Sequence, residues 1–91
     1  MKPSDWKSFL RLCLKAKNTD ELSNLFDFFF TAEEKESLAD RYAIIKALLE
    51  NKKTQRELSE SLNVSIAKIT RGSNALKIID PQLKVFLKKE R

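Results

Sequence analysis

Apolar side chains along this chain recur every third or fourth position, and nowhere do they alternate as a half-buried strand requires. Trp6, Phe9, Leu10 and Cys13 share one face of a first helix, and Leu22, Leu25, Phe26 and Phe29 share one face of a second. Leu38, Tyr42, Ile45 and Leu49 mark a third, and Leu83, Phe86 and Leu87 a last; stripes of this kind read as core. Polar residues mark where the helices start. Thr31 with Glu34, and Thr54 with Glu57, are capping boxes, in which hydroxyl and carboxylate each satisfy a backbone N–H that the helix leaves without a partner. Asn18 with Glu21 is a variant of the same device, and Ser65 caps a helix that begins at Ile66. Asp80 and Pro81 give an N-cap followed by a proline at the first helical position, where a missing N–H does no harm. The pattern predicts an all-α chain with helices near residues 4–17, 19–30, 32–51, 54–61, 65–78 and 81–89. Without repeats, low-complexity segments or linkers, residues 1–91 read as one domain, with core helices in 4–51 and 81–89 and a distinct helical pair in 54–78.

The segment "FDFFFT" strains this picture. Phe26, Phe28, Phe29 and Phe30 cannot all lie on one face of a short helix, so burying all of them needs a second surface. Another subunit would supply it; so would intrachain packing around a bend.

Residues 54–73, "TQRELSESLNVSIAKITRGS", have the layout of a helix-turn-helix. Leu58, Leu62, Val64 and Ile69 supply apolar contacts that lock two short helices, and Ser59 is small where those helices pass closely. Asn63 falls in the turn, where asparagine tolerates a left-handed backbone better than most residues. Ala67, Lys68, Thr70 and Arg71 then face outward near the start of the second helix, as a major groove would require. Small residues at that start let the backbone approach DNA, and its free N–H groups favour phosphate. Helical hairpins of other function share the layout. Charge adds weight to the nucleic-acid reading. Within the overall +5, residues 1–51 carry 8 basic against 9 acidic side chains, a net −1, and residues 52–91 carry 10 against 4, a net +6. Basic excess confined to one half suits a polyanion, although a solvated lysine-rich tail gives the same imbalance.

Gly72 is the only glycine of the chain and sits inside a predicted helix, where it costs about 1 kcal/mol relative to alanine. The inward stripe of that helix runs Ile69, then Gly72 or Ser73, then Leu76. A bulky side chain is missing from the middle of it. Either another helix packs closely there, or something flat from solution occupies the gap. Arg71 is adjacent, and a guanidinium both covers an aromatic face and pairs with a carboxylate.

Composition removes other functions. No histidine is present, so imidazole acid–base chemistry and histidine metal sites are excluded, and no nucleophile–base pair or metal cluster stands out. A single cysteine, Cys13, allows no intramolecular disulfide and fits a reducing cytosol. No apolar run reaches the roughly 18 residues of a membrane span, and no signal-peptide pattern opens the chain. A soluble cytoplasmic protein that is not an enzyme and needs no metal is expected.

"TQRELSESLNVSIAKITRGSNALK" closely resembles the helix-turn-helix of the bacterial tryptophan repressor family, and "ITRGSN" is its most telling part. The resemblance continues upstream through "FTAEEKESLADRYAIIKALLE" and downstream through "DPQLKVFLKKE", covering nearly the whole chain. Related repressor-like proteins without the ligand site lack "TRGSN". The resemblance implies six helices per subunit in an intertwined homodimer, with the first three and last helices interlocked. It implies L-tryptophan as a non-covalent corepressor, two per dimer, and palindromic operators of tryptophan biosynthesis and transport genes as the double-stranded DNA target. Two recognition helices would enter successive major grooves about 34 Å apart.

Carried over by position, Arg41 and Arg71 would stack on opposite faces of the indole, Arg71 and Thr31 would bind the carboxylate, and Gly72 would leave room for the ring. Backbone carbonyls of Phe28 and Phe30 from the other subunit would accept from the ammonium; both residues replace leucines of the family. Ala75 stands where better-known members have a serine that helps hold the ammonium, a hydrogen bond worth about 1.5–3 kcal/mol if nothing replaces it. For DNA, the resemblance implies Arg56 as direct base reader, Gln55 and Ser59 at phosphates, and Ile66, Ala67, Lys68 and Thr70 at the groove beside Arg71. Ser59 and Lys68 differ from the usual lysine and threonine there. Two other readings stay open: a helix-turn-helix regulator that ignores tryptophan, and a helical module whose basic end meets an acidic protein partner.

Overall fold

In the computed structural model, which describes residues 1–90, the chain forms six helices: α1 (Pro3–Leu14), α2 (Thr19–Phe29), α3 (Ala32–Glu50), α4 (Gln55–Leu62), α5 (Ile66–Lys77) and α6 (Pro81–Glu90). No strand occurs among the described residues. The caps act as their sequences imply. Thr31 Oγ1 accepts from the Glu34 N–H at 3.1 Å while the Thr31 N–H donates to Glu34 Oε1 at 2.8 Å. Thr54 and Glu57 repeat the exchange at 3.1 and 3.2 Å. Asn18 Oδ1 accepts from the Glu21 N–H, but the Glu21 carboxylate accepts from Lys17 rather than from Asn18 itself. Helix α1 ends at Leu14, three residues before the expected position. Asn18 must be extended to cap α2 (φ −158°, ψ 175°), so the residues before it serve as connector.

The chain divides into two compact units, Met1–Lys35 and Glu36–Arg91. In the first, α1 and α2 meet through aromatic rings centred on Phe9. Its ring lies 5.7 Å from Trp6, 6.4 Å from Phe26, 5.3 Å from Phe29 and 6.1 Å from Phe30, the last two edge-on. Lys35 and Asp27 form an ion pair on the surface. Yet neither helix holds a buried residue, and Phe28 is 82% exposed. A 35-residue unit of this kind falls below the size at which apolar burial sustains a fold by itself.

The second unit has a small core of Ile44, Leu58 and Ile69, flanked by Ala47, Leu48, Leu62 and Val64. This corrects the reading of the apolar stripes as core. On α3 it is Ile44 that is buried (1% exposed), with Leu49 at the helix end, whereas Leu38 and Tyr42 remain exposed. Leu83 and Phe86 of α6 are exposed too, as are Trp6, Leu10 and Phe29. Helix α3 is apolar on more than one face, and the part that carries Leu38 and Tyr42 stays exposed.

Helices α4 and α5 form the expected helix-turn-helix. Asn63 closes α4 in the left-handed region (φ 54°, ψ 47°), which reverses the chain within three residues. The Ser59 hydroxyl donates to the Val64 carbonyl at 2.6 Å, and the Val64 N–H donates back to the Ser59 carbonyl at 3.2 Å. Ser65 Oγ then accepts from the Lys68 N–H and starts α5. Leu58 and Ile69, both buried, pin the two helices together.

Candidate functional site

The outer surface of this motif carries the side chains expected at DNA. Gln55, Arg56, Ile66, Ala67, Lys68, Thr70 and Arg71 are all exposed, and Ser59 is half-buried. Thr70 Oγ1 donates to Gln55 Oε1 at 3.4 Å, which sets the start of α4 beside the second turn of α5. The first turn of α5 has no acidic side chain, so its positive dipole end and unpaired N–H groups are left for an anion. Ser59 and Lys68, like Thr70 and Gln55, have intramolecular partners that sequence reasoning did not supply. The Ser59 hydroxyl proton is committed to Val64, and the Lys68 ammonium donates to Asp40 Oδ2 at 3.3 Å.

Gly72 is buried against α3, and here the picture of an open slot needs correction. A Cβ added at Gly72 would lie 2.8 Å from Ile44 Cγ2, 3.4 Å from Leu48 Cδ1 and 3.6 Å from Ile45 Cδ1. The space in that direction is filled by the protein itself. Close helix packing therefore accounts for the missing side chain, the first of the two explanations the sequence left open.

That close approach has a consequence for the arginines. Helix α5 is tied to α3 at two points one turn apart, Lys68 to Asp40 and Gly72 to Ile44. Arg41 follows Asp40 on α3 and Arg71 precedes Gly72 on α5, so each arginine is next in sequence to a residue at which these two helices meet. Both residues are exposed. Ala75, half-buried, follows one turn later on α5 and offers no polar group.

The remaining expected ligand residues belong to the first unit. Thr31 Oγ1 accepts from the Glu34 N–H and keeps its own proton for a further acceptor such as a carboxylate. Phe28 lies in the last turn of α2 and Phe30 is its C-cap, with φ −108° and ψ 148°. Carbonyls at a helix C-terminus lack intrahelical donors and carry the negative end of the helix dipole. No basic side chain occupies the last turn of α2, so these carbonyls suit an external ammonium.

A family model described as "Trp repressor protein" matches residues 4–91. The chain belongs to the Trp repressor family. It is 54% identical over 87 residues to the Trp operon repressor homolog of Chlamydia trachomatis serovar D, an overlap covering 96% of this chain and 93% of that one. The homolog of Chlamydia caviae is 52% identical over 83 residues, covering 91% and 82%, and that of Histophilus somni is 38% identical over 85 residues, covering 93% and 80%. Proteins of the Trp repressor family are DNA-binding transcription regulators and not enzymes, and the chain is a regulator of this kind. Among the described residues no helix is long and apolar enough to cross a membrane.

Asp40 and Ile44 are neighbours of Lys68 and Gly72 that the sequence did not reveal. Asp40 lies 28 positions from Lys68, and no local spacing rule links them.

Proposed function

We propose that the protein is a tryptophan-dependent repressor: with L-tryptophan as corepressor it binds palindromic operators of tryptophan biosynthesis and transport genes in the cytoplasm. The observation that supports this reading is that Arg41 and Arg71 each adjoin a residue at which α3 and α5 meet, Asp40 with Lys68 and Ile44 with Gly72. The two guanidinium planes stack on opposite faces of the flat indole. Arg71 and Thr31 hold the carboxylate, and the carbonyls of Phe28 and Phe30 of a second chain accept from the ammonium. Gly72 acts by letting α5 approach α3 closely beside Arg71. With a methyl at Ala75, the ammonium relies on those carbonyls alone.

The functional form is an intertwined homodimer in which each chain contributes one domain and the first three and last helices interlock. Its support is the exposed apolar surface of Trp6, Leu10, Phe28, Leu38, Tyr42 and Phe86, which a single chain leaves uncovered. Arg56 reads a base directly, Gln55 and Ser59 contact phosphates, and Ile66, Ala67, Lys68, Thr70 and Arg71 lie along the groove. Tryptophan favours the DNA-competent placing of α4 and α5 because it binds that state better; by linkage, operator DNA then tightens tryptophan binding.

Gel retardation on a tryptophan-operon promoter fragment, with and without L-tryptophan, tests the reading. Retardation that requires the amino acid supports it. Retardation that ignores the amino acid supports a tryptophan-blind regulator, the alternative that Ala75 favours. No retardation in either lane leaves the helical protein-interaction module.

A further inference from the structure

Lys68 stands in the first turn of α5, where a lysine facing DNA would add a phosphate contact, yet its ammonium lies 3.3 Å from Asp40 Oδ2 on α3. The two side chains are 46% and 33% exposed, so the pair sits at the rim of the α3–α5 junction. Resting on the reading of α5 as the DNA-facing helix, we propose that Asp40 is a positioning residue that withholds Lys68 from the phosphate backbone and so lowers sequence-independent DNA affinity.

Phosphate contacts supply affinity without sequence information, and each one displaces counterions and makes binding more salt-dependent. Residues 52–91 already carry a net +6, so non-specific attraction is plentiful and an added lysine contact at the reading helix does little for discrimination. A carboxylate on a neighbouring element pairs with that lysine and cancels its charge locally, while the pair also ties the start of α5 to α3. An exposed pair of this geometry is weak, so its removal is worth about twofold to fivefold in an equilibrium and not orders of magnitude.

The test is fluorescence anisotropy of the full-length protein on a labelled non-operator duplex, across a potassium chloride series at fixed L-tryptophan. Asp40→Asn should tighten binding about twofold to fivefold at low salt. It should also steepen the slope of log K against log salt by about 0.9, the signature of one more neutralised phosphate. In a Lys68→Ala background the same substitution should leave the slope unchanged, because no ammonium remains to be released. Isotherms of Asp40→Asn that superimpose on those of the natural protein overturn the proposal. So does a steepening that persists with Lys68→Ala, which would show only a general loss of negative charge. A natural protein that bound no duplex at any salt would remove the DNA-binding reading itself, and this inference with it.

Discussion

Gly72→Ala probes the fold and the ligand site at once, because its sign depends on what surrounds the residue. The new methyl would sit 2.8 Å from Ile44 Cγ2, well inside the roughly 3.5–4.0 Å of a comfortable carbon–carbon contact. Ile44 is 1% exposed and β-branched, so its Cγ2 has no free rotamer to retreat into. Relief must come from parting α5 from α3. Overpacking of this kind costs about 1–3 kcal/mol, and the better helix propensity of alanine returns about 0.8–1.0 kcal/mol. The balance is a loss of about 1 kcal/mol, or a melting temperature lower by about 4–8 °C for a domain of this size. Thermal melts followed by circular dichroism should be run at matched protein concentration, since the melting point of an oligomer depends on it. An exposed helical glycine would give the opposite sign. A melting temperature raised by several degrees would refute the close packing of α5 on α3. Titration calorimetry supplies a second arm. Parting the helices moves Arg71 relative to Arg41, so tryptophan binding should weaken about tenfold, roughly 1.4 kcal/mol. A lowered melting point with unchanged tryptophan affinity would keep the packing and sever its link to the arginines.

Other outcomes follow from the same geometry. Arg56→Ala should weaken operator binding by about 1–3 kcal/mol and leave tryptophan affinity nearly intact, as read by anisotropy and calorimetry side by side. Arg71→Lys keeps the charge but loses the planar stack and the bidentate fork; calorimetry should show tryptophan bound about tenfold more weakly or worse. Phe28→Asp places a carboxylate where a second chain would cover an 82% exposed ring, so sedimentation should shift from dimer toward monomer; a dimer that persists would exclude this face from the interface.

Residue by residue, what the sequence determined by itself is whatever rests on near neighbours. The starts of α2, α4 and α5 were legible because Asn18, Thr54 and Ser65 each bond an N–H three positions on, and the turn because Asn63 carries its own tolerance of positive φ. Family membership was legible too, since "TRGSN" and its flanks survive as a contiguous string. Only the tertiary structure decided which face of α3 is buried, because that helix is apolar on several sides and the choice belongs to its packing partner. It also decided that Ile44 occupies the space beside Gly72, and that Asp40 holds Lys68. Residues 28 positions apart share no spacing rule; they meet because Ile44 of α3 and Ile69 of α5 join one core, with Leu58 of α4, that neither helix could form alone.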